Sequence, residues 1–480
     1  MIEFGSPVPA GADSFSHQAF TPIDSLALKY TCQGPRYTSY PTAPHFSEGA
    51  AVQSYLDGLH DSKVQSVAPL SLYVHIPVCR DICYYCACNK IVTRDAEKAV
   101  EYLAVLQREI ELQSALAGRN RPVTQMHWGG GTPTYLDDAQ LTQLMHLLAS
   151  HFQLLDNDSR EYSIEIDPRT VDVASIALLK GLGFNRISLG IQDFDPLVQK
   201  SVNRIQPYQQ VAALVESIRA HGFKSLSFDL IYGLPYQDED SIFQTLRKVL
   251  SLAPDRIACY NYAHLPERFS SQRAIDRLTL PQPIAKLRMH EILVATLRAA
   301  GYVHIGMDHF VLPEDELAKA QQKGRLQRNF QGYSLNMASD LLGLGVSAIS
   351  RMGDYYLQNE RDIDAYSSHL QAGELALARG YRMTPEDKLR HFVIMNLACN
   401  LQLDIAECNA RFGIDFYQHF SRQLAALDAM AADGLLCLDA NSVQVSCQGR
   451  PFLRNICMVF DEFLGKSSPT MEPIRYSATL

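Results

Sequence analysis

Leu72-Tyr73-Val74-His75-Ile76-Pro77-Val78-Cys79-Arg80-Asp81-Ile82-Cys83-Tyr84-Tyr85-Cys86-Ala87-Cys88 decides the reading of this chain. The run from Leu72 to Pro77 is rich in apolar, aromatic and β-branched residues and stops at a proline, as a strand does. It leads into a loop holding four of the eleven cysteines in 480 residues. Eleven is an odd count, and a reducing compartment keeps thiols free, so metal binding or burial explains these cysteines better than a disulfide framework.

Downstream, short apolar runs alternate with longer segments of helical period, the pattern of βα units on a parallel sheet. Strands are expected near Gln125 to Trp128, Ser163 to Asp167, Arg186 to Ile191, Ser227 to Tyr232 and Arg256 to Tyr262. Helices are expected between them at Ala96 to Ala115, Ala139 to Phe152, Val171 to Leu182, Gln209 to Ala220 and Ser241 to Leu252, with Gly118, Gly183 and Gly222 as stops. The expectation is an α/β fold with a partial (β/α)6 barrel, in which ligands gather at the carboxyl ends of the strands. The cysteine loop sits at the first such end.

Outside this unit, residues 1–50 are rich in Pro, Ser and Thr and read as an extended N-terminal arm. The barrel is expected over 51–310, a connecting segment that contributes to the active site over 311–380, and a small, mainly helical C-terminal domain over 381–480. That domain has helical patterns at Lys388 to Asn400 and Tyr417 to Ala432, a turn at Gly434 and a strand-like run to Val445, a winged-helix-like order.

With 47% hydrophobic and 20% charged residues, the chain has the composition of a soluble globular protein. A net charge of -9 argues against broad binding to nucleic acid or anionic membrane, and an anionic substrate would need specific arginines. The stretch before Lys29 lacks the basic start and apolar block of a secretory signal, and no run of 18 apolar residues appears, so a cytoplasmic location is expected.

The spacing C-x3-C-x2-C lets Cys79, Cys83 and Cys86 wrap three irons of a [4Fe-4S] cubane, leaving the fourth iron open to chelate the amino and carboxylate groups of S-adenosylmethionine (SAM). Reductive cleavage of the sulfonium then yields a 5'-deoxyadenosyl radical. A structural zinc site is the competing reading, although it usually takes two separated ligand pairs in a closed tetrahedron. A fourth thiolate would close the open iron, so Cys88 is read either as a radical-handling neighbour of the cluster or as an inert buried thiol. Cys32, Cys259, Cys399, Cys408, Cys437, Cys447 and Cys457 behave as small hydrophobes.

Further candidates lie at later strand ends. Trp128-Gly129-Gly130-Gly131-Thr132-Pro133 offers a backbone that approaches a ligand closely, or else a plain loop. Glu165 suits the two hydroxyls of a ribose, or a salt bridge. Gln192 and Arg204 follow the fourth strand, where an arginine fork matches a carboxylate; a solvated surface is the alternative. Asp229 is a charge inside an apolar strand, which calls for a polar ligand, a cation or a buried ion pair.

Taken together, Tyr73-Val74-His75-Ile76-Pro77, the cysteine loop continuing into Cys88-Asn89-Lys90-Ile91-Val92-Thr93-Arg94, and the glycine run resemble oxygen-independent coproporphyrinogen III oxidases of the radical SAM family. The resemblance begins at Gly34-Pro35-Arg36-Tyr37-Thr38-Ser39-Tyr40-Pro41-Thr42 and returns at Gly306-Met307-Asp308-His309-Phe310, Arg328-Asn329-Phe330-Gln331-Gly332-Tyr333 and Asp340-Leu341-Leu342-Gly343. It ends near Arg454-Asn455-Ile456-Cys457-Met458.

This resemblance implies that Tyr73, Gly130, Gly131, Thr132, Glu165, Gln192, Arg204, Asp229, Ala263 and Ile349 contact SAM and that Tyr85 lies beside its adenine. It also implies a second SAM molecule dependent on Cys88. The implied reaction converts the ring A and B propionates of coproporphyrinogen III into the vinyl groups of protoporphyrinogen IX, without oxygen, in haem biosynthesis. The partners implied are that substrate and a low-potential electron donor such as flavodoxin or ferredoxin, with the chain a monomer. Arg36 is a candidate anchor for a propionate, or else it packs the arm onto the barrel. Alternatives are a radical SAM relative with another substrate, a haem-binding or haem-delivery protein, and a nucleic-acid reader, which the mixed charge of the C-terminal domain disfavours.

Overall fold

The computed structural model of the chain describes residues 23–60, 68–118, 120–335, 340–464 and 476–479. Six parallel strands, β1 (Leu70–Ile76), β2 (Pro122–Gly130), β3 (Glu161–Ile166), β4 (Arg186–Gln192), β5 (Ser225–Tyr232) and β6 (Arg256–Asn261), stand side by side in chain order. Helices α1 (Glu97–Ala117), α2 (Asp138–His151), α3 (Val173–Gly181), α4 (Tyr208–Ala220) and α5 (Glu239–Ser251) cross between them. Each strand and helix expected here from the sequence is present, with ends moved by a few residues. Helices α2, α3 and α5 start at Asp137, Asp172 and Asp238, whose carboxylates accept from the third helical amide in capping boxes.

Among the described residues the barrel does not close on itself. Beyond β6 the sheet continues antiparallel through His309–Val311 and Val303–Gly306. Beyond β1 it continues through Asp340–Leu344, parallel to β1, and then antiparallel through Ile349–Met352, Tyr355–Asn359 and Leu377–Arg382. The segment expected to connect and to contribute to the active site supplies strands, and these pair the edge that β1 would otherwise leave open.

Strand periodicity separates two surfaces. Leu226, Phe228 and Leu230 of β5 are buried under the helices, as are Ile187, Leu189 and Ile191 of β4 and Tyr162, Ile164 and Ile166 of β3. The alternate residues are polar: Ser225, Ser227 and Asp229; Arg186 and Ser188; Glu161, Ser163 and Glu165. They line an interior space of about 980 Å³, open solvent included, over which the hairpin of Gln327–Asn329 and Gly332–Ser334 folds. Ordinary parallel strands are apolar on both faces, so polar inner faces identify a lumen built for solvent or ligand.

The C-terminal part opens with helix Pro385–Asn400 and holds an antiparallel sheet ordered Gln402–Asp404, Ser442–Val445, Leu436–Leu438. The helix expected from Tyr417 to Ala432 is two, Phe416–His419 and Ser421–Ala432, interrupted at the fully buried Phe420, whose ring packs on Phe416 and Phe460. The arm is not simply extended: its described part holds helix Ile23–Tyr30, and Leu26, Tyr37 and Tyr40 enter the same core as Ile305, Leu397 and Phe460. Tyr37 donates to Asp461 at 2.9 Å, which fixes arm to C-terminal domain.

Candidate active site

The loop after β1 is held by both of its flanks. Val78–Cys79 pairs in parallel with Ile91–Val92, and Thr93 donates its amide to the Cys79 carbonyl at 2.9 Å. From beyond β4, Asn203 Nδ2 donates to the Ile82 carbonyl at 2.7 Å and the Val202 carbonyl accepts from Tyr84 at 3.0 Å. From beyond β6, Ser271 Oγ donates to the Cys86 carbonyl at 2.9 Å, and Gln272 Nε2 bridges the carbonyls of Tyr85 and Ala263 at 3.0 and 3.2 Å. Tyr85 and Ala263, neighbours only in space, are thus joined by a buried glutamine.

Each sulfur of the loop meets a hydrogen-bond donor. Thr132 Oγ1 donates to Cys79 Sγ at 3.4 Å, and Cys83 Sγ accepts from Arg169 at 3.4 Å and Arg204 at 3.5 Å. Cys88 hydrogen-bonds Cys86, which holds the Cys86 thiol down to about 6. These donors and cations work toward thiolates, against burial, which pushes the Cys79 thiol up to about 11. Cys79 and Cys83 are buried, Cys86 half-buried and Cys88 exposed. Cys88 is exposed, with its thiol hydrogen-bonded to Cys86 and the charges of Glu165 and Lys90 bearing on it, which does not match a buried inert thiol.

Among the described residues no three His, Cys, Asp or Glu side chains converge as ligands of a single ion would. Three thiols spread along one short loop, each met by a donor, suit a cubane whose irons are held separately.

The strand ends bring the other candidates onto one rim. Tyr73 is in register with His127 on one side and with Gly343 on the other, where Ile349 crosses against the glycine: a Cβ at Gly343 would come within 2.6 Å of the Ile349 carbonyl. His127 stacks on Tyr73 with centroids 6.0 Å apart and places Nε2 3.0 Å from Glu165 Oε1. Gly130 donates its amide to Glu165 Oε2 at 3.3 Å. Burial works to raise the Glu165 carboxyl, but the His127 hydrogen bond and charge, the Gly130 amide and His75 outweigh it, so the group stays ionised below its usual range. Its side chain remains 44% exposed to the lumen and so can accept further donors.

The glycine run serves the protein first. A Cβ at Gly130, whose φ is +111°, would lie 2.4 Å from His75 Nδ1, and one at Gly131 would lie 2.5 Å from the Pro77 carbonyl. The run is neither a plain loop nor only a ligand cradle, because it seats β2 against β1.

Gln192 ends β4 at a register shift, with φ +65°. Arg204 is buried, which removes the solvated reading, but its fork is already engaged: NH1 donates to Asp167 at 2.9 Å and NH2 to the Gly190 carbonyl at 2.6 Å. Asp229 accepts from Ser188 at 2.9 Å, and no ion pair of Asp229 forms among the described residues. Burial, with the charge of Glu165, pushes it up to about 7. Arg36 donates to the Asn261 carbonyl at 2.9 Å, lies 3.6 Å from Asp308 and covers the Tyr260 ring, so it does fasten the arm to the barrel.

Sequence reasoning passed over His75, His127, Asp167, Arg169 and Gln272. The first two carried a readable signal: polar residues alternating with apolar ones at Tyr73, His75, Gln125 and His127, on strands expected to be parallel. Gln272 carried none, since its position depends on the loop after β6.

The fold and this rim define an enzyme of the radical SAM superfamily, whose sequence pattern matches residues 73–249. The pattern described as the HemN C-terminal domain matches residues 383–452. An oxygen-independent coproporphyrinogen III oxidase of Pseudomonas aeruginosa is 49% identical over 95% of this chain and 98% of its own length. That of Escherichia coli K12 is 47% identical over 92% of this chain and 95% of its own. The solved structure of coproporphyrinogen III oxidase (HemN) from Escherichia coli, described as a radical SAM enzyme, superposes with a TM-score of 0.87 at 45% identity, covering 93% of this chain and all of that one. The chain belongs to the oxygen-independent coproporphyrinogen III oxidase family.

Proposed function

We propose that this chain converts the ring A and B propionates of coproporphyrinogen III to vinyl groups without oxygen, giving protoporphyrinogen IX for haem biosynthesis. The observation that carries this reading is 49% identity over nearly the whole length of a relative named for that activity, with the cysteine loop, rim, arm and C-terminal domain all present.

In this reading Cys79, Cys83 and Cys86 hold one [4Fe-4S] cluster and leave an iron for SAM. Bound there, the pair supplies a 5'-deoxyadenosyl radical, able to take hydrogen from an unactivated propionate carbon. Thr132, Arg169 and Arg204 stabilise the sulfurs by hydrogen bonds. Tyr73, Gly130, Gly131, Glu165, Gln192, Asp229, Ala263 and Ile349 contact SAM, Glu165 accepting from ribose hydroxyls in the orientation that His127 and Gly130 impose. Tyr85 flanks the adenine, its main chain positioned by Gln272. A second SAM lies beside the first, and the roomy lumen and exposed Cys88 support it. The reading includes a low-potential donor such as flavodoxin or ferredoxin and a monomer in the cytoplasm. No helix among the described residues is long and apolar enough to cross a membrane.

The test is anaerobic cluster reconstitution followed by SAM, a low-potential reductant and coproporphyrinogen III, with porphyrinogens and deoxyadenosine followed together by liquid chromatography and mass spectrometry. Stepwise mono- and di-decarboxylation is the expected result. Deoxyadenosine with intact porphyrinogen would remove the substrate from this reading.

A further inference from the structure

A second pocket of about 570 Å³, open solvent included, lies where the arm, the barrel edge and the C-terminal domain meet. Its wall carries four cationic side chains, Arg36, Lys286, Arg450 and Arg454, against one carboxylate, Asp308. Asp308 is already taken, with Arg36 at 3.6 Å and the charges of Arg328 and Arg454 also bearing on it.

The remaining cations hold only neutral partners. Lys286 Nζ donates to the Tyr262 carbonyl at 2.9 Å, and Arg450 NH1 donates to the His304 carbonyl at 2.6 Å while its buried Nε has no partner. Arg454, buried, donates to the carbonyls of Pro35, Ala478 and Gly34 and to Ser477. Burial lowers Lys286 to about 8 and Arg454 to about 10, with the charge of Arg36 adding to the second shift and that of Asp308 opposing it. Charges buried without counter-charge are costly, and a chain whose net charge is -9 has not drifted into such a surplus through general basicity.

We propose that this seam is a carboxylate-binding subsite that anchors a propionate of the tetrapyrrole on the side away from the reacting group, with Lys286 and Arg450 as its free donors. Tyr232 and Asn261, which line the pocket, end β5 and β6 at the same rim as Glu165 and the cysteine loop. Arg36 lies over Tyr260, and Tyr260 lines the main lumen, so the two spaces adjoin. A macrocycle with a carboxylate on each of its four pyrrole rings thus has a cationic wall for one edge while another edge lies in the lumen. The seam combines residues of arm, barrel and C-terminal domain, so it exists only when all three are docked.

This inference rests on the substrate class proposed above, and its test separates the two. Lys286→Met and Arg450→Gln, with Lys286→Arg as the charge-keeping control, would be compared with wild type for binding of coproporphyrin III and its neutral tetramethyl ester, for KM with coproporphyrinogen III, and for substrate-free deoxyadenosine release. The expected result is a five- to twentyfold weaker acid affinity and higher KM in the two charge-removing variants, unchanged ester binding and deoxyadenosine release, and near-normal values for Lys286→Arg. Wild-type turnover with unchanged KM and acid affinity in both variants would overturn the subsite and leave the function standing. Protection of the seam by millimolar phosphate, with porphyrin affinity unaffected by phosphate or by the substitutions, would assign it to a free anion and also overturn the proposal. A wild-type enzyme that neither binds nor converts the porphyrinogen would overturn both.

Discussion

His127 stands between Ser163 and Glu165, with Nδ1 2.6 Å from Ser163 Oγ and Nε2 3.0 Å from Glu165 Oε1. An ionised carboxylate only accepts, so Nε2 carries the proton and the imidazole orients Glu165 from below. Replacing His127 with Ala frees that carboxylate. SAM affinity should fall roughly tenfold, by about 1–2 kcal/mol for one charge-assisted hydrogen bond, with iron and sulfide content unchanged. Anaerobic calorimetric titration and metal analysis check this, and equal SAM affinity would show that Glu165 needs no such support.

The raised Asp229 gives the ligand-free protein a pH dependence of known sign. Its carboxyl titrates near 7 when folded, against an ordinary 3.8. Between those values the folded state binds more protons than the unfolded one, so stability falls as pH rises across that window. Asp229→Asn abolishes this contribution. Its stability advantage over wild type, measured by denaturant unfolding, should grow from pH 4 to 7 and level off above, at roughly 1–3 kcal/mol given partial access of solvent from the lumen. Glu109, pushed up to about 7 chiefly by burial, adds a slope of the same sign that Asp229→Asn leaves in place.

Arg169 and Arg204 both donate to Cys83. Arg169→Gln removes one charged donor while Asp167 and Arg204 keep their 2.9 Å contact. Hydrogen bonds to cluster sulfurs raise the potential, so the midpoint of the reconstituted protein should move down, on the order of 50 mV for about 1 kcal/mol in a one-electron couple. Potentiometric titration followed by electron paramagnetic resonance measures it; an unchanged midpoint would limit Arg169 to packing.

Gly130→Ala tests whether the glycine run is structural. The added methyl meets His75 at 2.4 Å on a backbone with φ +111°. Even without cluster or SAM, Tm should drop, with a loss of roughly 2–4 kcal/mol. A normal apoprotein Tm with lost SAM binding would return the glycines to a purely ligand-facing role.

Local pattern carried much of this protein. Alternating β-branched runs and helical periods located all six barrel strands and the helices between them, because hydrophobic periodicity reflects which side of each element is buried. The C-x3-C-x2-C loop was equally legible, since its ligands are adjacent in sequence. The polar alternation of Ser225, Ser227 and Asp229 is present in the same letters, although only Asp229 stands out in them, as a charge that calls for a polar ligand, a cation or an ion pair.

What no spacing encodes is contact between distant segments. Gln272 joining Tyr85 to Ala263, Asp167 occupying the fork of Arg204, and Arg36, Lys286, Arg450 and Arg454 meeting at one seam arise only when the arm, barrel and C-terminal helices pack together. The sequence by itself determined the places of the barrel strands and the ligand loop, because both follow from local periodicity and neighbouring side chains. Only the tertiary structure decided which charges face each other and which remain uncompensated, because electrostatic pairing depends on distance in space and on exclusion of water.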